Sequence, residues 1–117
     1  MRCIATLLLM LTAAASNAQQ SFLVDWDSVG EESIEHFVNL VRIDSSNPPG
    51  NETQVVNYLK AVLAGEGIDS ELYALEEARA NLVARIKGNG SKRPILIMGH
   101  TDVVGVQPDK WYADPFS

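Results

Sequence analysis

The chain has 117 residues, of which 46% are hydrophobic and 21% are charged, and its formal net charge is −6. This composition excludes a fibrous or intrinsically disordered protein and is typical of one globular domain or part of one. The negative charge and the lack of any Lys/Arg cluster in the sequence argue against a nucleic-acid partner.

The first 18 residues have the layout of a cleavable secretory signal peptide. Arg2 supplies a short positive region, residues 3–15 carry no charge, and small residues lead up to Ala18. This stretch is shorter than the roughly 20 residues that span a bilayer, so a permanent anchor is the less favoured alternative. Cleavage would remove Cys3, the one cysteine of the chain. We therefore expect a secreted or periplasmic protein without disulfides and without a membrane partner after cleavage.

A first helix is predicted to begin at a capping box formed by Ser28 and Glu31 and to end near Asp44. Its apolar face has helical spacing and is formed by Ile34, Phe37, Val38 and Val41. A cluster of helix breakers at residues 45–50, Ser-Ser-Asn-Pro-Pro-Gly, then separates it from the next helix.

A second helix and three strands are predicted downstream. Asn51 and Gln54 form another capping box, and glycines at positions 65 and 67 stop the helix. Residues 68–75 and 80–87 alternate as strands do, whereas residues 95–98 are apolar on both faces, which is typical of a central strand. The predicted fold class is α/β, with helices packed on a mixed β-sheet. A central strand needs neighbours on both sides, so we expect more sheet than these strands supply.

The residues that could carry chemistry follow the third predicted strand. His100 and Asp102 are two positions apart, so in an extended chain their side chains point the same way. A metal-bound imidazole needs an acceptor for its second ring N–H, and a neighbouring carboxylate can supply it. His-x-Asp is a weak pattern, however, and a structural pair that caps the strand end is the simpler interpretation of the spacing alone.

Other polar and aromatic residues are given structural roles. His36 is expected to be a solvated helix residue, and Asp109 and Asp114 to be solvated loop residues. Trp111 and Phe116 are expected to pack under the terminal loop, with a place in a substrate wall as the alternative for Trp111.

Longer segments favour a metal site. Residues 98–104 (Met-Gly-His-Thr-Asp-Val-Val) and 111–117 (Trp-Tyr-Ala-Asp-Pro-Phe-Ser) together resemble the first metal-ligand motif of the M20 family of zinc metallopeptidases. Residues 40–52 are similar to the family segment in which a helix ends in a Pro-Pro-Gly turn before the next helix. The resemblance covers about residues 30–117. Gly105 departs from it, since many members carry proline there, which affects loop stiffness more than metal binding.

The resemblance implies that His100 is a zinc ligand and that Asp102 is the catalytic-site acid that orients it. It implies two zinc ions, with cobalt or manganese as alternatives, and hydrolysis of a C–N bond in a peptide or N-acyl amino acid substrate. Residues 19–117 would then be the N-terminal part of a zinc-dependent, exopeptidase-like catalytic domain. The other ligands, the general base and the substrate-binding residues would lie downstream of Ser117.

The resemblance leaves open a homodimer formed through a domain outside this chain, and it implies that the 117 residues alone are inactive. The alternative function is a secreted non-catalytic α/β binding domain, or a degenerate relic, in which the His-x-Asp pair is structural.

Overall fold

A computed structural model describes residues 23–117, so the predicted signal peptide lies outside the described residues. This part of the chain contains two α-helices, a small parallel sheet and a small antiparallel sheet. The predicted α/β class is therefore confirmed. Within the same range, no helix combines the length and the apolar character that crossing a membrane requires.

The first helix, α1 (Trp26–Val41), begins before the predicted capping box. Asp25 is its N-cap, and Oδ1 of Asp25 accepts hydrogen bonds from the backbone N–H groups of Asp27 at 3.2 Å and Ser28 at 3.3 Å. The Ser28 hydroxyl also donates to Oδ2 of Asp25 at 3.0 Å. The prediction that Ser28 caps the helix with Glu31 is wrong, because the Asp25 carboxylate is a charged acceptor placed one turn earlier.

The second helix, α2 (Glu52–Gly65), has the predicted limits but not the predicted cap. Asn51 occupies the N-cap position without a side-chain cap hydrogen bond, since its Nδ2 donates to the backbone oxygen of Asp44 at 3.2 Å. The capping box with Gln54 is therefore wrong.

Thr53 provides the hydrogen bonds that the predicted cap does not. Its backbone N–H donates to the Ala78 oxygen at 3.0 Å, and its hydroxyl donates to the Glu77 oxygen at 2.6 Å. The same hydroxyl accepts the N–H of Ala80 at 3.0 Å. The first turn of α2 is thus joined to a segment that follows it by more than 20 residues, a pairing that a local capping rule cannot predict.

The C-terminal end of α2 follows the sequence prediction. Gly67 has φ +70°, and its N–H donates to the Ala64 oxygen at 3.0 Å while the N–H of Ile68 donates to the Leu63 oxygen at 2.8 Å. This is the Schellman arrangement, in which a left-handed glycine lets the chain turn back and pair the last carbonyl groups of the helix.

The antiparallel sheet consists of β2 (Ser70–Tyr73) and β3 (Asn81–Ala84). Its register pairs Ser70 with Ala84 and Tyr73 with Asn81. Both strands are shorter than the sequence predicted. Helix α2 packs on this sheet, and the buried hydrophobic residues of the described chain lie at that junction. They are Val55, Val56 and Ala80.

The parallel sheet joins β1 (Ser46–Asn47), inside the predicted breaker cluster, to β4 (Val103–Val104). Ser45, which is only 2% exposed, strengthens this junction: its hydroxyl donates to the Thr101 oxygen at 2.8 Å, and its carbonyl accepts the N–H of Val103 at 3.2 Å. The Pro-Pro-Gly loop is thereby fixed to the His-Thr-Asp segment.

The prediction of a central strand at residues 95–98 is wrong. These residues do not form a strand and remain 81–85% exposed. A segment that is apolar on both faces becomes a central strand only when neighbouring strands and covering layers surround it. Among residues 23–117 the strand that forms in this region is β4 instead, where β1 offers a backbone edge for pairing.

Helix α1 contacts α2 through polar groups rather than through its predicted apolar face. Ile34 and Phe37 on that face are 65% and 66% exposed. Nδ1 of His36 lies 2.7 Å from the Tyr58 hydroxyl, which also accepts a hydrogen bond from Asn39 Nδ2 at 3.2 Å. The expectation of a solvated His36 is therefore wrong, because Tyr58 of α2 supplies a partner that the local sequence does not show.

Candidate functional site

His100 and Asp102 lie against each other just before β4. Nδ1 of His100 is 3.1 Å from Oδ1 of Asp102 and 3.0 Å from the backbone oxygen of the same residue. Both oxygens are acceptors, so in the neutral ring Nδ1 carries the proton and Nε2 carries a lone pair. The His100 side chain is 86% exposed, which leaves the ring accessible to a ligand.

Asp102 uses its two carboxylate oxygens for two different partners. Oδ1 faces His100, and Oδ2 accepts a hydrogen bond from Asn47 Nδ2 at 3.1 Å. The hydrogen bond from Asn47, and to a smaller extent that from His100, holds the pKa of Asp102 below its ordinary value, although partial burial opposes this shift. The carboxylate is therefore charged at neutral pH and suited to accept the Nδ1 proton of the ring.

Asn47 is a site residue that the sequence did not reveal. It lies in β1, where its backbone pairs with Val104, and its amide reaches a carboxylate 55 positions away in the chain. The sequence contains both the Pro-Pro-Gly loop and the His-Thr-Asp segment. Nothing in the sequence shows that the two are neighbours in the fold, so no local signal identifies Asn47.

A second pair that the sequence did not reveal is the ion pair between Glu52 and Arg79. Nη2 of Arg79 lies 2.9 Å from Oε1 of Glu52, and Nε lies 3.3 Å from both carboxylate oxygens. The hydrogen bond from Arg79 lowers the pKa of Glu52, and the same bond raises the pKa of Arg79. Gly50 packs directly against this pair: with φ +92°, a Cβ atom there would lie 2.8 Å from Nε of Arg79. The position therefore requires glycine.

A cleft of about 360 Å³ brings these groups together. Its polar lining residues include Glu52, Arg79, Asn81, His100 and Asp102. Its apolar lining residues include Val56, Leu59 and Leu82. A concave site lined by both polar and apolar side chains suits a small ligand with both characters.

The donor chemistry of His100 fits one ligand of a zinc site. Around protein-bound zinc, the second ring N–H of a histidine ligand usually donates a hydrogen bond to a carboxylate, a backbone carbonyl or water, and His100 has such acceptors in Asp102. Structural and catalytic zinc sites need three or four protein ligands, however. Residues 23–117 contain no group of three or more His, Cys, Asp or Glu side chains placed to hold a metal ion. In this part of the chain, then, His100 offers a single zinc ligand.

The terminal loop lies apart from the cleft. Trp111 is 55% exposed and lines a separate hollow together with Phe116 and Asp44. Asp109 is exposed in a short 3-10 turn, and Asp114 is exposed while its Oδ1 accepts the N–H of Phe116 at 2.9 Å. The structure thus does not bring Trp111 or the two aspartates to His100.

The chain is similar to bacterial proteins named probable succinyl-diaminopimelate desuccinylase. The protein of this name from Staphylococcus aureus strain Mu50 is 42% identical over 88 residues, which cover 74% of this chain and 21% of the relative. A protein of the same name from Staphylococcus epidermidis strain ATCC 35984 is 39% identical over 88 residues, which cover 74% of this chain and 20% of the relative. The chain thus spans about a fifth of the length of the curated relatives it matches. No family model matches the chain, and no solved structure matches it at a significant level.

Proposed function

We propose that this chain is part of a metal-dependent hydrolase of the M20 type that cleaves the C–N bond of an N-acyl amino acid or a peptide. The observation that carries the proposal is the contact of 3.1 Å between Nδ1 of His100 and Oδ1 of Asp102, which leaves Nε2 for a metal. The similarity to proteins named as desuccinylases supports the reaction type, because a desuccinylase hydrolyses an N-acyl amide bond.

Each residue of the pair has a defined task in this proposal. His100 binds the metal through Nε2. Asp102 holds the proton on Nδ1 and fixes the plane of the ring, which keeps the imidazole in the tautomer that a metal requires. Zinc, when bound, polarises the scissile carbonyl and lowers the pKa of a water molecule to about 7. A second zinc ion, with cobalt or manganese as substitutes, belongs to the proposal through the family resemblance.

The substrate proposal has two sources. The name of the relatives points to an N-succinyl diamino acid. The signal-peptide pattern of residues 1–18 supports export, and an exported hydrolase would meet peptides and acyl amino acids outside the cytoplasm. Substrate assays should therefore include N-succinyl and N-acetyl amino acids as well as dipeptides.

The test replaces His100 in the enzyme expressed from its complete gene. We expect His100→Ala to lose one tightly bound metal ion per chain and to lower the hydrolysis rate more than about 100-fold, since even an outer partner of a ligand is worth 10- to 100-fold. His36→Ala is the matched control, because His36 is the other histidine of the chain and bonds to Tyr58. Metal content by mass spectrometry and amide hydrolysis are the measurements.

The outcomes separate this proposal from its alternative. Full metal stoichiometry and full activity in His100→Ala would remove His100 from the site. An unmodified protein that binds no metal and hydrolyses none of these substrates would favour a non-catalytic binding domain with a structural His-x-Asp pair.

A further inference from the structure

We propose that Asn47 is a positioning residue that fixes the Asp102 carboxylate on His100, so that the imidazole ring presents Nε2 to a ligand. The inference deepens the proposed function and rests on it where metal affinity is measured. It stands on the geometry of a three-residue chain of hydrogen bonds that runs from Asn47 through Asp102 to His100.

The first step is that the carboxylate needs a second partner to have a defined orientation. The terminal torsion of an aspartate is broad, so a single hydrogen bond to Oδ1 leaves the group free to rotate and to exchange its oxygens. The His100 side chain cannot supply the constraint, because it is 86% exposed. The bond from Asn47 Nδ2 to Oδ2 at 3.1 Å is the one that fixes the plane of the carboxylate.

The second step is that Asn47 is itself held independently of Asp102. Its backbone lies in β1 opposite Val104, and the neighbouring Ser45 is 2% exposed and bonded to Thr101. On the other side, the N–H of Gly50 donates to the Ser46 oxygen at 2.9 Å. The amide group therefore starts from a fixed backbone, which is what a positioning residue needs.

The third step is that an amide suits this place better than a cationic donor would. A lysine or arginine at position 47 would form an ion pair with Asp102 and offset the charge that attracts the Nδ1 proton of His100. The neutral asparagine amide donates a hydrogen bond and leaves the charge on the carboxylate. Asp102 then acts through the imidazole of His100, which is the proposed metal ligand.

The test uses Asn47→Ala, Asn47→Asp and a matched control, Asn51→Ala, in the enzyme expressed from its complete gene. Asn51 lies in the same loop and also donates an amide hydrogen bond, to the Asp44 oxygen at 3.2 Å, but it does not contact Asp102. Asn47→Asp keeps the shape of the side chain and replaces the donor by a carboxylate facing a carboxylate, so it separates the hydrogen bond from packing.

Two measurements are made on each variant. The ring tautomer of His100 is read from long-range nitrogen–proton NMR of the metal-free, histidine-labelled protein at an alkaline pH where imidazole is neutral. Zinc and cobalt affinities are read by competition with a chelator. We expect the unmodified protein and Asn51→Ala to keep the proton on Nδ1. Asn47→Ala should show a mixture of tautomers and bind metal about tenfold more weakly, at the low end for an outer partner. Asn47→Asp should show a larger loss.

Three results would overturn the inference. The first is an unchanged tautomer and an unchanged metal affinity in both Asn47 variants. The second is equal shifts in Asn47→Ala and Asn51→Ala, and the third is an Asn47→Asp variant that matches the unmodified protein in both measurements. If the unmodified protein binds no metal, the proposed function fails, and the tautomer comparison still decides the role of Asn47.

Discussion

Replacing Thr53 by valine tests how the first turn of α2 is held. Valine has the shape of threonine without the hydroxyl, so the Glu77 oxygen and the Ala80 N–H each lose a partner at 2.6 Å and 3.0 Å. Ala80 is only 6% exposed, so its N–H has little access to water, and an unsatisfied buried N–H costs about 1–3 kcal/mol. Glu77 is exposed, so its carbonyl regains a bond from solvent. We expect the free energy of unfolding to fall by about 2 kcal/mol, or about 30-fold in the unfolding equilibrium.

Urea denaturation of the unmodified protein, Thr53→Val and Thr53→Ser measures this loss. A lower midpoint with an unchanged slope would show that stability changed and the unfolded state did not. Serine keeps the hydroxyl and loses one methyl group of a half-buried side chain, so it should cost less than about 0.8 kcal/mol. The reasoning is refuted if valine stays within about 0.5 kcal/mol of the unmodified protein, or if serine costs as much as valine.

Two further predictions concern backbone conformation and charge. Gly50→Ala should destabilise the protein by about 2 kcal/mol, because an alanine at φ +92° is strained and its Cβ would lie 2.8 Å from Nε of Arg79. The control Gly30→Ala, in α1 with nothing within 4 Å, should instead stabilise by about 0.5–1 kcal/mol in thermal unfolding, and equal effects would contradict this. Stability should also decrease in acid, because hydrogen bonds from Ser28 hold the pKa of Asp25 below 3.8 in the folded protein. Folding favours the charged form of Asp25. The stability that Asp25 contributes is therefore present above pH 3.8 and is lost as the pH falls through the lower pKa of the folded state. Asp25→Asn should flatten that part of the stability curve between neutral pH and about pH 2, and an unchanged curve would argue against the cap.

Local signals in the sequence were sufficient to predict both helices and the end of α2. The Schellman turn at Gly67 depends on neighbouring residues alone, so a local rule predicts it correctly. The N-terminal caps were wrong because the decisive partners were not the expected ones. Asp25 precedes the Ser28 box, and the hydroxyl of Thr53 binds a segment at residues 77–80.

The strand prediction failed where pairing decides the structure. Residues 95–98 have high β-propensity, but a strand exists only opposite another strand, and none lies beside them within residues 23–117. By contrast, β1 forms in a breaker cluster because β4 offers it an edge. The proximity of His100 and Asp102 followed from their spacing of two, whereas Asn47 became visible only through tertiary structure.

The pairing of β1 with β4 is a separate event in folding from the formation of α2 and the β2–β3 hairpin. Helix α2 and the hairpin of β2 and β3 are built from contacts close in sequence, whereas the bonds that bring Asn47 to Asp102 and Ser45 to Thr101 close loops of 55 and 56 residues. Loop closure of that length is entropically unfavourable and rests here on a two-residue ladder. The cleft should therefore assemble last and open first, by a local separation of β1 from β4 that leaves the α2 core folded. A ligand bound in the cleft would hold β1 and β4 together, and amide hydrogen exchange at Val103 would slow as the cleft fills.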